Sequence, residues 1–231
     1  MTTSLSTPET LAQLLSHPMV PILRGVAPAE VLGVAEVLLD CGFRVLEVPL
    51  NSPSPLDSLA RLALLALLAR QQGAGVMVGA GTVLTATDVD AAADAGASLI
   101  LAPNLNPRVV ARAVQRGLLV MPGVATATEA FSALEAGAQA LKLFPADVLG
   151  PATFKAWRAV LPAGTPLFAV GGVAAGNLAD FRRAGASGAG LGSALYQPGM
   201  ALDELRRRGL SIMAAWDAAA LAARSNAPAS E

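Results

Sequence analysis

One unit recurs along the whole chain: an alanine-rich stretch with helical spacing, a glycine, then a short apolar run that stops at proline, glycine, asparagine or threonine. The glycines are Gly42, Gly73, Gly96, Gly117, Gly137 and Gly185. Glycine is favoured just past a helix end because it takes positive φ without steric cost. The runs that follow begin at Val45, Val76, Leu99, Leu118, Ala140 and Ala189, and two more, Val20–Arg24 and Leu167–Val170, complete a set of eight. Continuously apolar strands separated by helices read as a parallel sheet covered by helices. Eight such units imply a closed (β/α)8 TIM barrel. An open doubly wound sheet would carry a glycine-rich fingerprint after its first strand, whereas the turn here reads Arg24-Gly-Val-Ala-Pro-Ala-Glu. The barrel is expected over residues 18–222, after an N-terminal helical unit (1–17) and before a flexible polar tail (223–231). Thr7-Pro8-Glu9 reads as the start of that extra helix, with Thr7 as cap, running to about Ser16 and able to cover the barrel bottom.

Hydrophobic residues make up 54% of the chain and charged residues 14%, which raises the question of a membrane. Apolar stretches are interrupted by Arg61 and Arg70, and the long uncharged runs Pro162–Ala179 and Ala184–Leu202 are rich in glycine, so none reads as a span. The first ten residues lack a basic region and an apolar core, so no export signal is read there. A net charge of −1 argues against nucleic acid and anionic membrane as partners. Single residues of each kind, Cys41 and His17, leave no disulfide framework and no histidine metal cluster. A soluble, cytoplasmic α/β protein is expected.

Barrel chemistry sits at the C-terminal ends of the strands, so charged residues within or ending the runs are the candidates: Arg24, Glu47 and Lys142. Arg44 begins its strand, at the structural end. Lysine occurs only at Lys142 and Lys155, and Lys142 lies inside the apolar run Ala140-Leu-Lys-Leu-Phe-Pro. Two readings are open. One is a buried ion pair with Glu47; the other is an imine-forming amine whose ammonium form is disfavoured by desolvation. Strand alternation gives Glu47 the facing of Val45 and Pro49, toward the barrel interior, where it serves as ion-pair partner, general acid/base, or both. Gly171-Gly172 and Gly192-Ser193 follow the last two runs, where barrels commonly bind phosphate, although a Gly-Gly pair also serves tight turns. Arg24 supplies matching charge. Thr82, after Gly79-Ala-Gly, is a hydroxyl donor to a carboxylate or a helix cap. Pro103, Phe144 and Val170 end their runs as pocket walls, and Asp147 reads as a cap or turn residue.

Taken in order, Ile22-Leu-Arg-Gly25, Val45-Leu-Glu-Val-Pro-Leu-Asn-Ser52, Gly79-Ala-Gly-Thr82, Ala102-Pro-Asn104, Pro122-Gly-Val-Ala-Thr-Ala-Thr-Glu129, Leu141-Lys-Leu-Phe-Pro-Ala146, Ala169-Val-Gly-Gly-Val173 and Gly190-Leu-Gly-Ser193 make the chain resemble the class I aldolases that cleave 2-keto-3-deoxy-6-phospho sugar acids. The resemblance runs from about Pro18 to about Tyr196. It implies a Schiff base on Lys142, proton transfer by Glu47, a carboxylate held by Thr82, and a phosphate cradled by Gly171, Gly172, Gly192 and Ser193 with Arg24 nearby. A homotrimer, a small phosphorylated sugar-acid substrate, and neither metal nor other cofactor are implied as well. Asn51 and Val170 stand where the phosphogluconate branch of the family has arginine and threonine, which points to the phosphogalactonate branch, and both are expected to bind substrate. Rival readings are a phosphogluconate or 4-hydroxy-2-oxo-acid aldolase, a barrel isomerase or synthase, and a non-catalytic sugar-phosphate-binding barrel.

Overall fold

The computed structural model describes residues 6–225. The eight apolar runs become nine strand segments because the fifth is divided at Pro122, which has no N–H to give to a ladder. They are β1 (Met19–Pro21), β2 (Val45–Pro49), β3 (Met77–Gly81), β4 (Leu99–Leu101), β5 (Leu119–Met121), β6 (Gly123–Val124), β7 (Leu141–Leu143), β8 (Leu167–Val170) and β9 (Gly188–Leu191). All ladders are parallel and fall into two sheets, β1-β9-β8-β7-β6 and β2-β3-β4-β5. The sheets join at both edges. On one side Ile22 bridges Glu47 and the Leu23 N–H donates to the Glu47 carbonyl at 2.8 Å. On the other, β5 continues through Pro122 into β6, with the Gly123 N–H donating to the Ala102 carbonyl (2.9 Å) and the Lys142 N–H to the Pro122 carbonyl (3.0 Å). The two sheets together supply the expected eight strand positions and meet through these hydrogen bonds at both junctions.

A helix follows each ring strand: α2 (Val31–Asp40), α3 (Pro55–Gln71), α4 (Ala86–Asp94), α5 (Pro107–Gln115), α6 (Ala127–Glu135), α7 (Ala146–Arg158), α8 (Leu178–Arg183) and α9 (Leu202–Ser225). The six glycines read as helix stops all have φ between 69° and 99°, the left-handed conformation that lets the chain leave a helix and turn into the next strand. No helix among the described residues is long and apolar enough to cross a membrane. The expected tail begins inside α9, which continues to Ser225, and its remaining residues lie outside those described.

The extra helix, α1 (Thr7–Ser16), is capped by Ser6 rather than Thr7. Ser6 is extended (φ −67°, ψ 157°), and both its N–H and its hydroxyl donate to Glu9 Oε2 at 2.8 Å. Glu9 then stands at the third helical position, the spacing a capping box needs, which a cap at Thr7 would not provide.

The ring divides the interior into two cores. Outside it, side chains such as Leu38, Leu46, Val78, Ile100, Phe154 and Phe181 pack between strands and helices. Inside it, Val20, Val45, Met77, Leu99, Leu119, Ala140 and Phe168 fill the lower part of the cylinder, and Leu14 of α1 joins them. Helix α1 thus plugs the bottom of the barrel with a fully buried leucine. Leu14→Ala should cost about 2–5 kcal/mol by lost burial and the cavity it leaves. The urea midpoint reads this directly; a midpoint equal to the parent's would show that α1 does not close the inner core.

Candidate active site

The upper part of the cylinder holds the charged residues. Counting around the ring, β2 and β7 are four strands apart in either direction, so Glu47 and Lys142 stand diametrically opposite. They are the second and sixth ring strands, and in such barrels alternate strands supply one layer of inward side chains. Both share the facing of their inner-core neighbours two residues below, Val45 and Ala140. Their exposures are 2% for Glu47 and 5% for Lys142.

Glycine makes room between them. A Cβ on Gly81, at the top of β3, would lie 1.8 Å from Glu47 Oε1 and 2.6 Å from its Cδ, so any other residue displaces the carboxylate. Gly123, on the strand beside Lys142, lies so close to the Pro103 carbonyl that a Cβ would come within 2.3 Å of its oxygen.

The buried ion pair considered from the sequence does not form: no Lys142 Nζ–Glu47 carboxylate contact within 4.0 Å occurs among the described residues. Glu47 Oε2 is buried and has no hydrogen-bond partner. Lys142 Nζ sits 5.2 Å from the centroid of the Phe144 ring, within cation–π range. Burial pushes the Lys142 amine below the usual lysine range; Glu47 opposes this and the Arg24 cation reinforces it. Burial likewise pushes the Glu47 carboxyl above the usual carboxylate range, with Lys142 and then Arg24 pulling it back. Desolvation dominates in both, so each group is shifted toward its uncharged form.

Above the pair opens a cavity of about 380 Å³, a size suited to a small metabolite. Arg24, Glu47, Thr82, Pro103, Lys142, Phe144, Val170, Gly171, Gly172, Gly192 and Ser193 all line it. Asn51 does not. It lies one step out, accepting a hydrogen bond from Arg24 Nη1 at 2.9 Å through Oδ1. Three further wall residues escaped the sequence reading: Ile22, Val173 and Ala194. Ile22 carried a usable signal, since it precedes Arg24 by two and so shares its facing. Gly81, read only as part of a motif, owes its importance to a contact made across strands.

The β8–α8 and β9–α9 loops form one end of the cavity. Gly171 and Gly172 have φ of 98° and 66°, and the Gly172 carbonyl accepts from Asn177 Nδ2 while Asn177 Oδ1 accepts from the Ala174 N–H. The Gly172, Val173, Ser193 and Ala194 N–H groups meet no acceptor among the described residues. Unpaired backbone N–H groups beside a serine hydroxyl and an arginine can hold a tetrahedral anion.

Thr82 has φ 56°, in the left-handed region. A β-branched residue there costs about 1–3 kcal/mol and is held only where the surroundings over-determine it. It does not cap the next helix. Thr85 does, accepting from the Asp88 N–H at 3.1 Å, which leaves the Thr82 side chain to the cavity. Asp147 follows the expected pattern, accepting from the Val148 N–H at 3.0 Å in the first turn of α7.

The two buried charges make stability depend on pH. Native Lys142 loses its proton at lower pH than in the unfolded chain, where the value is near 10.5. Between those points the unfolded chain binds more protons, so folding stability gains as pH rises through the window. Lys142→Met removes that gain and also leaves Glu47 without its nearest cation, which acts in the same direction. Urea midpoints near neutral pH and at about pH 10 should therefore rise for the parent relative to the Met variant. A parallel response of the two proteins would contradict a depressed Lys142 pKa.

The family model described as KDPG and KHG aldolase matches residues 11–206. A probable 2-dehydro-3-deoxy-6-phosphogalactonate aldolase of Rhizobium meliloti (strain 1021) is 45% identical over 204 residues, 88% of this chain and 93% of its own. The 2-dehydro-3-deoxy-6-phosphogalactonate aldolase of Escherichia coli (strain K12) is 45% identical over 199 residues, 86% and 94% of the two chains. A solved structure described as native KDPGal superposes with a TM-score of 0.82 at 45% identity, covering 88% of this chain and 96% of that one.

Proposed function

The chain belongs to the KDPG and KHG aldolase family, and we propose that it is a class I aldolase cleaving 2-dehydro-3-deoxy-6-phosphogalactonate to pyruvate and glyceraldehyde 3-phosphate. The observation that carries this is the desolvated Lys142 amine facing a buried Glu47 carboxyl whose Oε2 has no protein partner. Buried polar atoms are almost always paired, so an orphan at a cavity floor argues for a group that is paired by substrate.

The neutral Lys142 amine adds to the C2 carbonyl, and Glu47 gives a proton to the carbinolamine hydroxyl as it leaves as water. The iminium so formed draws the C3–C4 bonding pair into C2–C3 while Glu47, now carboxylate, takes the C4 hydroxyl proton. That bond breaks and glyceraldehyde 3-phosphate departs. Glu47 returns the proton to C3 of the enamine, and water then hydrolyses the iminium, freeing pyruvate and the neutral amine while the proton released goes back to Glu47. A carboxyl pushed up and an amine pushed down by the same burial suit these exchanges near neutral pH. Thr82 holds the pyruvyl carboxylate, and Gly171, Gly172, Gly192 and Ser193, with Arg24, hold the phosphate. Pro103 and Phe144 wall the reacting carbons. Val170, an apolar wall residue on the inner face, supports the galactonate epimer because it offers no hydroxyl to the substrate.

The test is borohydride reduction with and without pyruvate, followed by peptide mass spectrometry. A pyruvate-dependent mass on the Lys142 peptide is expected, absent in Lys142→Ala, which should keep its fold and lose cleavage by at least about 10³-fold. No adduct on a folded, accessible parent would overturn the imine mechanism and favour a binding protein or an isomerase.

The family resemblance also implies a homotrimer in the cytoplasm. Apolar side chains left exposed, among them Leu64 and Leu68 of α3 and Val148 of α7 at 77%, support burial by further subunits. Sedimentation equilibrium should give a mass of three chains; a single-chain mass at micromolar concentration would sink this part of the reading.

A further inference from the structure

Arg24 is an exposed side chain, yet a second loop holds its guanidinium, and two other loops bear on the backbone beside it at Gly25. Asn51, from the β2–α3 loop, accepts from Nη1 at 2.9 Å. Because a guanidinium only donates, the amide must present Oδ1 to it, which fixes the Asn51 side chain as well. One residue on, Ser52 is 7% exposed, and its hydroxyl accepts from the Gly25 N–H at 2.9 Å. Its own N–H donates to the Pro49 carbonyl at 3.0 Å, which ties the loop to the end of β2. Gly25 has φ 82°, and a Cβ there would come 2.7 Å from Pro198 Cγ, so the β9–α9 loop closes over the same residue. The β2–α3 loop is held in a strained state, with Ser54 at φ 39°, ψ 58° just before α3. A non-glycine residue in that region stays only while its neighbours compel it.

We propose that Asn51 and Ser52 are positioning residues that hold Arg24 at the phosphate end of the cavity, with Ser52 fixing the backbone and Asn51 the guanidinium. This rests on the aldolase reading and deepens it. A free arginine surrenders rotamer entropy when it grips an anion; one already held gives up less and binds more tightly. The Asn51–Arg24 bond joins two exposed side chains and so adds little to folding stability. Its consequence falls on substrate capture.

The experiment compares parent, Asn51→Ala and Ser52→Ala in the condensation of pyruvate with glyceraldehyde 3-phosphate and with unphosphorylated glyceraldehyde. Asn51→Ala should melt like the parent, raise KM for the phosphorylated aldehyde by about tenfold with kcat retained, and leave the unphosphorylated aldehyde unchanged. Ser52→Ala should shift the same ratio. Equal losses with both aldehydes, or an unaltered ratio in both variants, would overturn the proposal. A fall in pyruvate trapping instead would assign Arg24 to the carboxylate end and overturn it too. Should the parent trap no pyruvate, the aldolase reading fails on its own. Calorimetry with inorganic phosphate then decides the positioning role: weaker binding by Asn51→Ala upholds it, and equal binding rejects it.

Discussion

An amine and a carboxyl face each other inside one narrow cylinder without touching, and the arrangement around them follows from the cost of keeping them there. Lys142 and Glu47 lie on opposite strands of the ring, with apolar layers beneath and a cavity above. A direct ion pair would satisfy both charges and leave each unreactive. Separation makes both pay for desolvation, and each relieves part of that cost by moving toward its neutral form. In the proposed mechanism, this cost to folding is what readies both groups for proton transfer and imine formation.

The space for this arrangement is made by side chains that are missing. Gly81 stands where the Glu47 carboxylate must lie, and Gly123 allows the strand beside Lys142 to approach the Pro103 carbonyl. Conformational strain has a similar distribution. Thr82 and Ser54 are the non-glycine residues with positive φ among those described, one in the cavity wall and the other closing the loop that carries Asn51 and Ser52. Such strain is tolerated because the rest of the barrel is well packed. Leu14 seals the lower end, and backbone hydrogen bonds join the two sheets at both junctions.

In the proposed reading, the anion is held by the backbone more than by side chains. Two glycine-containing loops line one end of the cavity with N–H groups that no backbone acceptor takes among the described residues, and Ser193 and Arg24 line the same cavity with a hydroxyl and a cation. Asn177 locks the first loop by bonding both the Gly172 carbonyl and the Ala174 N–H. A rigid cradle at one end and a reactive amine at the other fit a substrate with an anion remote from its carbonyl, so binding energy from the phosphate can be spent on placing the reacting carbons.

The eight-unit barrel, its helix-stopping glycines and the inward facing of Glu47 and Lys142 were all legible in the sequence. They depend on local rules: positive φ at glycine, two-residue alternation along a strand, and the rarity of lysine in an apolar run. The membership of the cavity was legible almost as fully, because barrel sites gather at strand ends whose residues can be counted. What the tertiary structure decided were relations between residues distant in sequence. The absence of an ion pair between Glu47 and Lys142, the fit of Gly81 against Glu47, and the position of Asn51 against Arg24 rather than in the cavity wall are set by distances across the ring. Alternation tells which face a side chain takes and is silent about how far it stands from the side chain opposite, because ring tilt and stagger fix that separation, and these belong to the closed barrel as a whole.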